Sequence, residues 1–255
     1  NAITPDSFWK TGDDATKGIM GAYSAFTKIT LYSRFEIFTS DYRDDVINAF
    51  GTSERTNIGS FNGTSDSNGT FWVWSAYYSG VTRSNEVIAN VPNIDMNETD
   101  KNNIVGEAYF LRAFNYFQLV TRWQNIPLIT VPISEIENPS LIAQADPNEV
   151  WNQIEADLIM AKTLLPTSWP IEESGRATLG AATGMLGKVF LYRNKNLEAK
   201  DEFIEVKNMG YQLTADYADN FSAATENNSE SLFEIQLIAD GNGGWGADVP
   251  GSGKG

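Results

Sequence analysis

Hydrophobic residues recur three or four positions apart along much of the chain, which predicts a succession of α-helices. Turn-forming residues and prolines separate the periodic segments from one another. The predicted helices are Asp13–Leu31, Phe71–Asn90, Asn97–Trp123, Asp146–Pro166, Thr178–Arg193 and Glu198–Met209. Asp146 and Pro147 form a clear start signal, an N-cap followed by proline at the first helical position. Helices in this succession predict an antiparallel stack.

The predicted helix Asn97–Trp123 is apolar on nearly every side. Polar residues such as Glu107 and Arg112 interrupt its apolar surface, and we expect them to form structural ion pairs or to hydrogen-bond a loop. A helix enclosed by neighbours on both sides would show this pattern. The sequence NIPLITVPI (Asn125–Ile133) follows, and its two prolines favour an extended chain. We expect this segment to lie across the stack as a bridge to the next helix pair.

The remaining segments predict long loops and little β-structure. Thr52–Thr70 is rich in Gly, Ser, Asn and Thr and predicts a loop, whereas Ser231–Ile238 predicts a strand. Matching positions in 108–116 and 182–190 indicate a repeat of roughly two tetratricopeptide lengths. We therefore predict an all-α, tetratricopeptide-like helical repeat solenoid with long loops and a few short strands. Residues 1–255 are interpreted as one domain, with a helical scaffold at 13–210 and the start of a loop- and strand-rich region at 211–255.

Composition narrows the classes of function. The chain has 33 acidic and 18 basic residues, a formal net charge of −15. This charge opposes binding to nucleic acid or to an anionic membrane surface. The absence of cysteine and histidine excludes disulfides, thiolate metal sites and catalytic triads that use histidine. We expect no cofactor and no metal, and no apolar run is long enough to predict a transmembrane helix.

Five segments resemble, in the same order, the SusD/RagB family. They read TPDSFWKTGDDATKGIMGAY, FWVWSAYYSGVTRSNEVIANV, GEAYFLRAFNYFQLVTRWQNIPLIT, GRATLGAATGMLGKVFLYRNKNLEA and ENNSESLFEIQ. The third segment is similar to the central motif of the family, an acidic residue and Ala-x-Phe-Leu-Arg-Ala, then Tyr-Phe, then Pro-Leu. Family members are commonly about twice as long, so the chain resembles their N-terminal part.

The resemblance implies a function without chemistry. SusD-like proteins are surface lipoproteins of Bacteroidota that bind glycans and sit as a lid on a SusC-like, TonB-dependent transporter in the outer membrane. They are not enzymes. Their tetratricopeptide-like helices face the transporter, and the ligand lies on loops at the other side. The resemblance also implies a lipid anchor on a cysteine upstream of Asn1.

Candidate ligand residues follow from the chemistry of sugars, which bind flat aromatic faces and planar polar groups. Trp72 leads, because it stands at the start of a predicted helix beside a polar loop, although packing against a neighbouring helix would also explain it. Trp74 is interpreted as a core residue. Arg55 and Asn68 belong to the same loop and are candidate partners for hydroxyls. Trp245, in GNGGWGAD, is either a ligand platform or part of a flexible end.

A charged cluster, SDYRDDV (Ser40–Val46), supplies further candidates. The resemblance places an acidic segment here near the loops that carry ligand, and Asp–Arg pairs can present two hydrogen bonds to vicinal hydroxyls. Asp41 and Asp44 are therefore candidate glycan-binding residues. The alternative is a helix start with charges in its first turn.

Two other functions remain open at this point. A glycoside hydrolase on a helical fold would need two carboxylates that flank the cleaved bond, and a chain with 33 acidic residues always offers some pair. A tetratricopeptide scaffold for a protein partner would need a concave groove lined by Asn, Arg and Lys. Long loops that carry Phe61, Trp72 and Trp245 favour a small or polymeric ligand over a protein partner. Hydrolysis assays would separate the hydrolase from a binding protein.

Overall fold

Helices that follow one another in chain order build the fold. The computed structural model describes residues 8–28, 30–32, 35–48, 51–64 and 67–236. The α-helices in these ranges are α1 (Gly12–Tyr23), α2 (Glu36–Thr39), α3 (Ser53–Gly59), α4 (Asn68–Asn90), α5 (Glu98–Trp123), α6 (Pro147–Leu164), α7 (Leu179–Tyr192) and α8 (Asn196–Asn208). From α4 to α8 each helix packs on the next, and α1 packs on α4 and α5. The predicted all-α stack is confirmed.

Local capping sequences determine where the long helices begin. The Asp146 side chain accepts a hydrogen bond from the backbone N–H of Asn148 at 2.8 Å, and Pro147 occupies the first position of α6, as predicted. Asn97 caps α5, because its side-chain oxygen accepts from the backbone N–H groups of Thr99 and Asp100 at 2.9 and 3.1 Å. The sequence therefore contains enough local chemistry to position these two helix starts.

Three predicted boundaries differ from the structure. Thr52–Thr70 is not a continuous loop, because the Thr52 hydroxyl caps α3 and α3 buries Ile58. The first described helix ends at Tyr23, and turns follow it where the prediction extended the helix to Leu31. The predicted strand Ser231–Ile238 makes no strand pairing over 231–236, and its last two residues lie outside the described residues. The burial of Ile58 is a tertiary contact, and it overrides the loop-like local composition of Thr52–Thr70.

Helix α5 is enclosed, as its sequence predicts. Between Ile104 and Val120 most of its residues are buried, and α4 and α6 pack on either side of it. Fully buried Leu111 and Tyr116 join a core that also takes side chains from α1, α6 and α7. Burial of this apolar surface is the main favourable contribution to folding.

Arg112 forms a buried ion pair from α5 to α6. Its Nε donates to Asp157 Oδ2 at 2.8 Å and its Nη2 donates to Oδ1 at 2.6 Å, a bidentate arrangement. Its Nη1 donates to Asn85 Oδ1 at 2.9 Å and to the Thr130 carbonyl at 3.0 Å. The two charged side chains are only 4% and 1% exposed. Burial raises the pKa of the Asp157 carboxyl, and the Arg112 guanidinium opposes that shift.

The bridge after α5 is held mainly by side chains, beside an isolated antiparallel β-bridge between Pro127 and Gln144 and a hydrogen bond from the Ala145 N–H to the Ile126 carbonyl at 2.9 Å. Tyr116 Oη donates to the Ile129 carbonyl and accepts from the Ile129 N–H, both at 2.7 Å. The other contacts are Tyr78 Oη to the Pro127 carbonyl at 2.7 Å and Asn85 Nδ2 to the carbonyls of Ile129 and Val131 at 2.9 and 3.0 Å. Helix side chains thus satisfy the backbone groups of an extended segment, which crosses the stack as predicted.

Glu107 has the second buried charge on α5. Its carboxylate accepts two hydrogen bonds from the Arg176 guanidinium, one of them from Nε at 3.0 Å, and a third from Tyr23 Oη at 2.7 Å. Tyr23 Oη in turn accepts from the Ala177 N–H at 2.8 Å. The expected structural role of Glu107 and Arg112 is confirmed, with partners on the loop before α7 and on α6.

Buried phenols should make the fold sensitive to alkaline pH. Burial raises the pKa of five tyrosines, Tyr23, Tyr32, Tyr77, Tyr78 and Tyr116. In the unfolded chain these groups titrate near pH 10, so above about pH 10 the folded state holds more protons and the free energy of unfolding should fall as pH rises. We expect phenolate absorbance of the native protein to stay below that of the urea-unfolded protein. Equal absorbance while the fold persists would contradict this prediction.

Candidate functional site

A cavity of about 460 Å³ lies where the beginning of α4 meets the end of α5. Its volume falls within the range of roughly 300–1,000 Å³ that is typical of small-molecule sites. The residues that line it are Thr39, Arg43, Ile58, Phe61, Gly63, Thr64, Thr70, Phe71, Trp74 and Trp123. They come from α2 and the turn after it, from α3 and the segment that follows, and from the ends of the two long helices.

Aromatic rings form much of the cavity wall. Trp74 and Trp123 meet edge to face, with ring centroids 5.2 Å apart and an interplanar angle of 88°. Trp74 also packs on Tyr78, with centroids 5.0 Å apart, which fixes its ring against the core. Phe61 and Phe71 are 63% and 59% exposed. The interpretation of Trp74 as a core residue is incomplete, because its half-buried ring both supports the core and lines the cavity.

Besides the indole N–H groups of the two tryptophans, the described lining residues bring threonine hydroxyls and a guanidinium to the cavity. Thr39, Thr64 and Thr70 supply hydroxyls, and Arg43 supplies a guanidinium. Among the described residues that line the cavity there is no aspartate or glutamate. Hydrogen-bond donors beside aromatic faces suit a polyhydroxylated ligand. The pair of carboxylates that glycoside hydrolysis requires is not present among these lining residues.

The leading sequence candidate lies beside the cavity. Trp72 is half-buried, and its ring packs edge to face on Phe35 with centroids 4.6 Å apart. Its neighbours Phe71 and Trp74 line the cavity, whereas Trp72 is not among the lining residues. The packing alternative therefore describes the contact that the Trp72 ring makes in this structure.

The other candidates surround the cavity or lie outside the described residues. Asp41 and Asp44 flank Arg43 in the turn after α2, and Asp44 Oδ1 accepts from the backbone N–H of Val46 at 2.8 Å. Of the remaining candidates, Arg55 belongs to α3, Asn68 is the first residue of α4 with its side chain outside the described part, and Trp245 lies outside the described residues. Their roles in ligand binding stay predictions.

Sequence reasoning missed most of the residues that form the cavity wall, although it named Phe61 among the aromatic residues of the long loops. Phe71, Trp74 and Trp123 stand at the ends of two adjacent helices, and Arg43 was considered only as a partner of Asp41 and Asp44. The position of Trp123 at the last residue of an enclosed helix is the signal that could have indicated it. A side chain at a helix end can extend past the neighbouring helices and line a site.

Comparison with known proteins gives the same family for most of the chain. Residues 16–191 match the SusD-like family model whose description is "Starch-binding associating with outer membrane". SusD-like protein P2 of Formosa agariphila is 30% identical over 96% of this chain and 50% of its own length. No helix in the part of the chain that the structure describes has the length and apolarity needed to cross a membrane.

Solved structures extend the likeness to the fold. A laminarin-binding SusD-like protein superposes with a TM-score of 0.79 at 28% identity, over 93% of this chain and 54% of that one. A structure described with xylogluco-oligosaccharide gives a TM-score of 0.77 at 26% identity, over 92% of this chain and 48% of that one. The chain thus spans about half the length of these relatives. It belongs to the SusD-like family.

Proposed function

We propose that the protein binds a glycan in the cavity between α4 and α5, without catalysis, at the cell surface. The observation that carries this proposal is the wall of Phe61, Phe71, Trp74 and Trp123 beside hydroxyls and one guanidinium. Two structural relatives, described as laminarin-binding and with xylogluco-oligosaccharide, support a glycan as the ligand.

The aromatic and the polar side chains of the cavity would have different roles in binding. Aromatic faces cover the C–H surface of a pyranose ring and exclude water from it. Arg43, Thr64 and Thr70 offer hydrogen bonds to ring hydroxyls at the edge of the cavity.

The residues around the cavity would contact sugars that extend beyond it. We propose this role for Asp41 and Asp44, which flank Arg43, and for Trp72 and Arg55, which lie on the adjoining helices. Asn68 and Trp245 belong to the same proposal on the strength of the sequence. A polymeric ligand longer than the cavity would reach several of these positions.

The partner and the location rest on family membership. We propose delivery of the glycan to a SusC-like, TonB-dependent transporter, with the helical stack facing that transporter. The protein would be a lipoprotein of the outer membrane, anchored through a lipid upstream of Asn1. A tetratricopeptide-type scaffold for another protein is the alternative, and a glycoside hydrolase is a weaker one, since no carboxylate is among the described lining residues.

Affinity electrophoresis on laminarin, starch, xylan, mannan, alginate and pectin tests the proposed function. We expect retardation on at least one polysaccharide and no release of reducing ends in parallel incubations. New reducing ends would overturn the non-catalytic assignment. Migration unchanged on every polysaccharide, with a folded protein by circular dichroism, would contradict glycan binding by this chain and favour the scaffold alternative.

A further inference from the structure

Helix α3 ends in a backbone motif that usually has glycine at its left-handed position. The N–H of Phe61 donates to the Ile58 carbonyl at 3.0 Å, and the N–H of Asn62 donates to the Asn57 carbonyl at 2.7 Å. This pair of bonds is the Schellman motif, whose residue after the C-cap adopts the left-handed conformation. Phe61 occupies that position with φ of 59°. A bulky side chain at this position strains the backbone, whereas glycine adopts the same conformation without strain.

The same motif recurs at the end of α7 with asparagine, a residue that is common at the left-handed position. At the end of α7, the N–H of Asn194 donates to the Leu191 carbonyl at 3.1 Å and the N–H of Lys195 donates to the Phe190 carbonyl at 2.9 Å. Asn194 has φ of 59°, and asparagine tolerates this conformation far better than phenylalanine. The two motifs therefore share a geometry and differ in the residue at the strained position.

Burial does not offset the strain at Phe61. Its side chain is 63% exposed, so most of its apolar surface remains in water. What the ring does contact is the cavity, which it lines together with Phe71, Trp74 and Trp123. An aromatic residue that strains the backbone without entering the core needs another reason for its position, and strain of this kind is concentrated at ligand sites.

We infer that Phe61 is a ligand-contacting residue whose backbone strain is retained so that its ring covers a sugar face at the mouth of the cavity. This inference rests on the proposed function and deepens it, because it assigns the strained backbone after α3 to the positioning of one wall residue. The left-handed backbone at residue 61 turns the chain immediately after α3 and holds the ring beside the cavity. The ligand chemistry it implies is a pyranose with an unbroken C–H face, since an aromatic ring covers such a face without leaving hydroxyls unpaired.

The inference predicts opposite effects of one substitution on stability and on binding. Phe61→Gly should relieve the strain and raise the thermal unfolding midpoint by roughly 2 °C or more, while weakening affinity for the retained glycan about tenfold or more. Phe61→Ala should lose the same affinity without the gain in midpoint, because its Cβ keeps the strain. Phe61→Tyr should keep most of the affinity. The glycan is the one that retards the wild-type protein, and titration calorimetry measures the affinity.

Asn194→Gly is the matched control, because it changes the same motif away from the cavity. It should leave affinity unchanged. If the wild type binds a glycan and Phe61→Gly binds it equally well, the inference fails and the proposed function stands. A lower unfolding midpoint for Phe61→Gly would also overturn the inference, since the ring would then be structural. If the wild type binds no glycan, the proposed function fails, and the inference fails with it.

Discussion

Arg112→Ala is expected to lower the free energy of unfolding by about 3–5 kcal/mol, the range for breaking one side of a buried ion pair. The substitution removes the guanidinium partner of the Asp157 carboxylate, whose side chain is only 1% exposed. It also removes the donor to Asn85 Oδ1 and to the Thr130 carbonyl of the bridge. Urea unfolding followed by circular dichroism measures the loss.

Two further variants separate the causes of that loss. Arg112→Met combined with Asp157→Leu should recover much of the stability, because no charge is then left unpaired. In Arg112→Ala, burial holds the pKa of Asp157 above that of the unfolded chain, so the deficit should shrink as pH falls toward about 4. Lys17→Ala, which removes an exposed ion pair with Asp13, should not change the midpoint. A loss below about 1 kcal/mol in Arg112→Ala would contradict the assigned role.

The helical stack could be predicted because its signals are local. The Asp146-Pro147 start of α6 and the Asn97 cap of α5 depend on side chains two or three residues from the groups they bind. The enclosed character of α5 follows from its composition alone. The sequence also predicts that Glu107 and Arg112 serve structure, but their partners lie 69 and 45 residues away and no local pattern indicates them.

The cavity could be predicted only in part, for a physical reason. Residues 71–74 read Phe-Trp-Val-Trp. Four consecutive apolar residues do not indicate which side of the helix faces the core, because no polar residue marks the opposite side. The sequence therefore cannot show which of Trp72 and Trp74 lies toward a ligand. The short helix α3 escaped notice because its Gly, Ser, Asn and Thr content resembles a loop. It is stabilised by the Thr52 cap, by the burial of Ile58 and by hydrogen bonds to Glu54 from the start of α4, and the last two depend on the fold.

Trp74→Ala is expected to weaken glycan binding about 30-fold or more, whereas Trp72→Ala should weaken it less than about threefold. Both tryptophans are half-buried and stand on the same helix, two positions apart. Trp74 lines the cavity and is held by Trp123 and Tyr78, while the Trp72 ring packs on Phe35. Truncation of the ring in the cavity removes the central sugar platform. Truncation of the Trp72 ring removes its packing on Phe35 and, under the proposed function, a contact only to sugars beyond the cavity. Titration calorimetry with the retained glycan measures both affinities.

Trp74→Phe separates the loss of a platform from damage to the fold. It keeps an aromatic face at the cavity and should lose clearly less affinity than Trp74→Ala. All three variants must keep the helical circular dichroism of the wild type, since Trp74 also supports the core. If Trp72→Ala loses the affinity and Trp74→Ala keeps it, the ligand lies on the loop side of α4, where the sequence alone would place it. That result would also contradict a role for the cavity, because Trp72→Ala leaves the lining residues Phe71, Trp74 and Trp123 unchanged and yet would no longer bind the glycan.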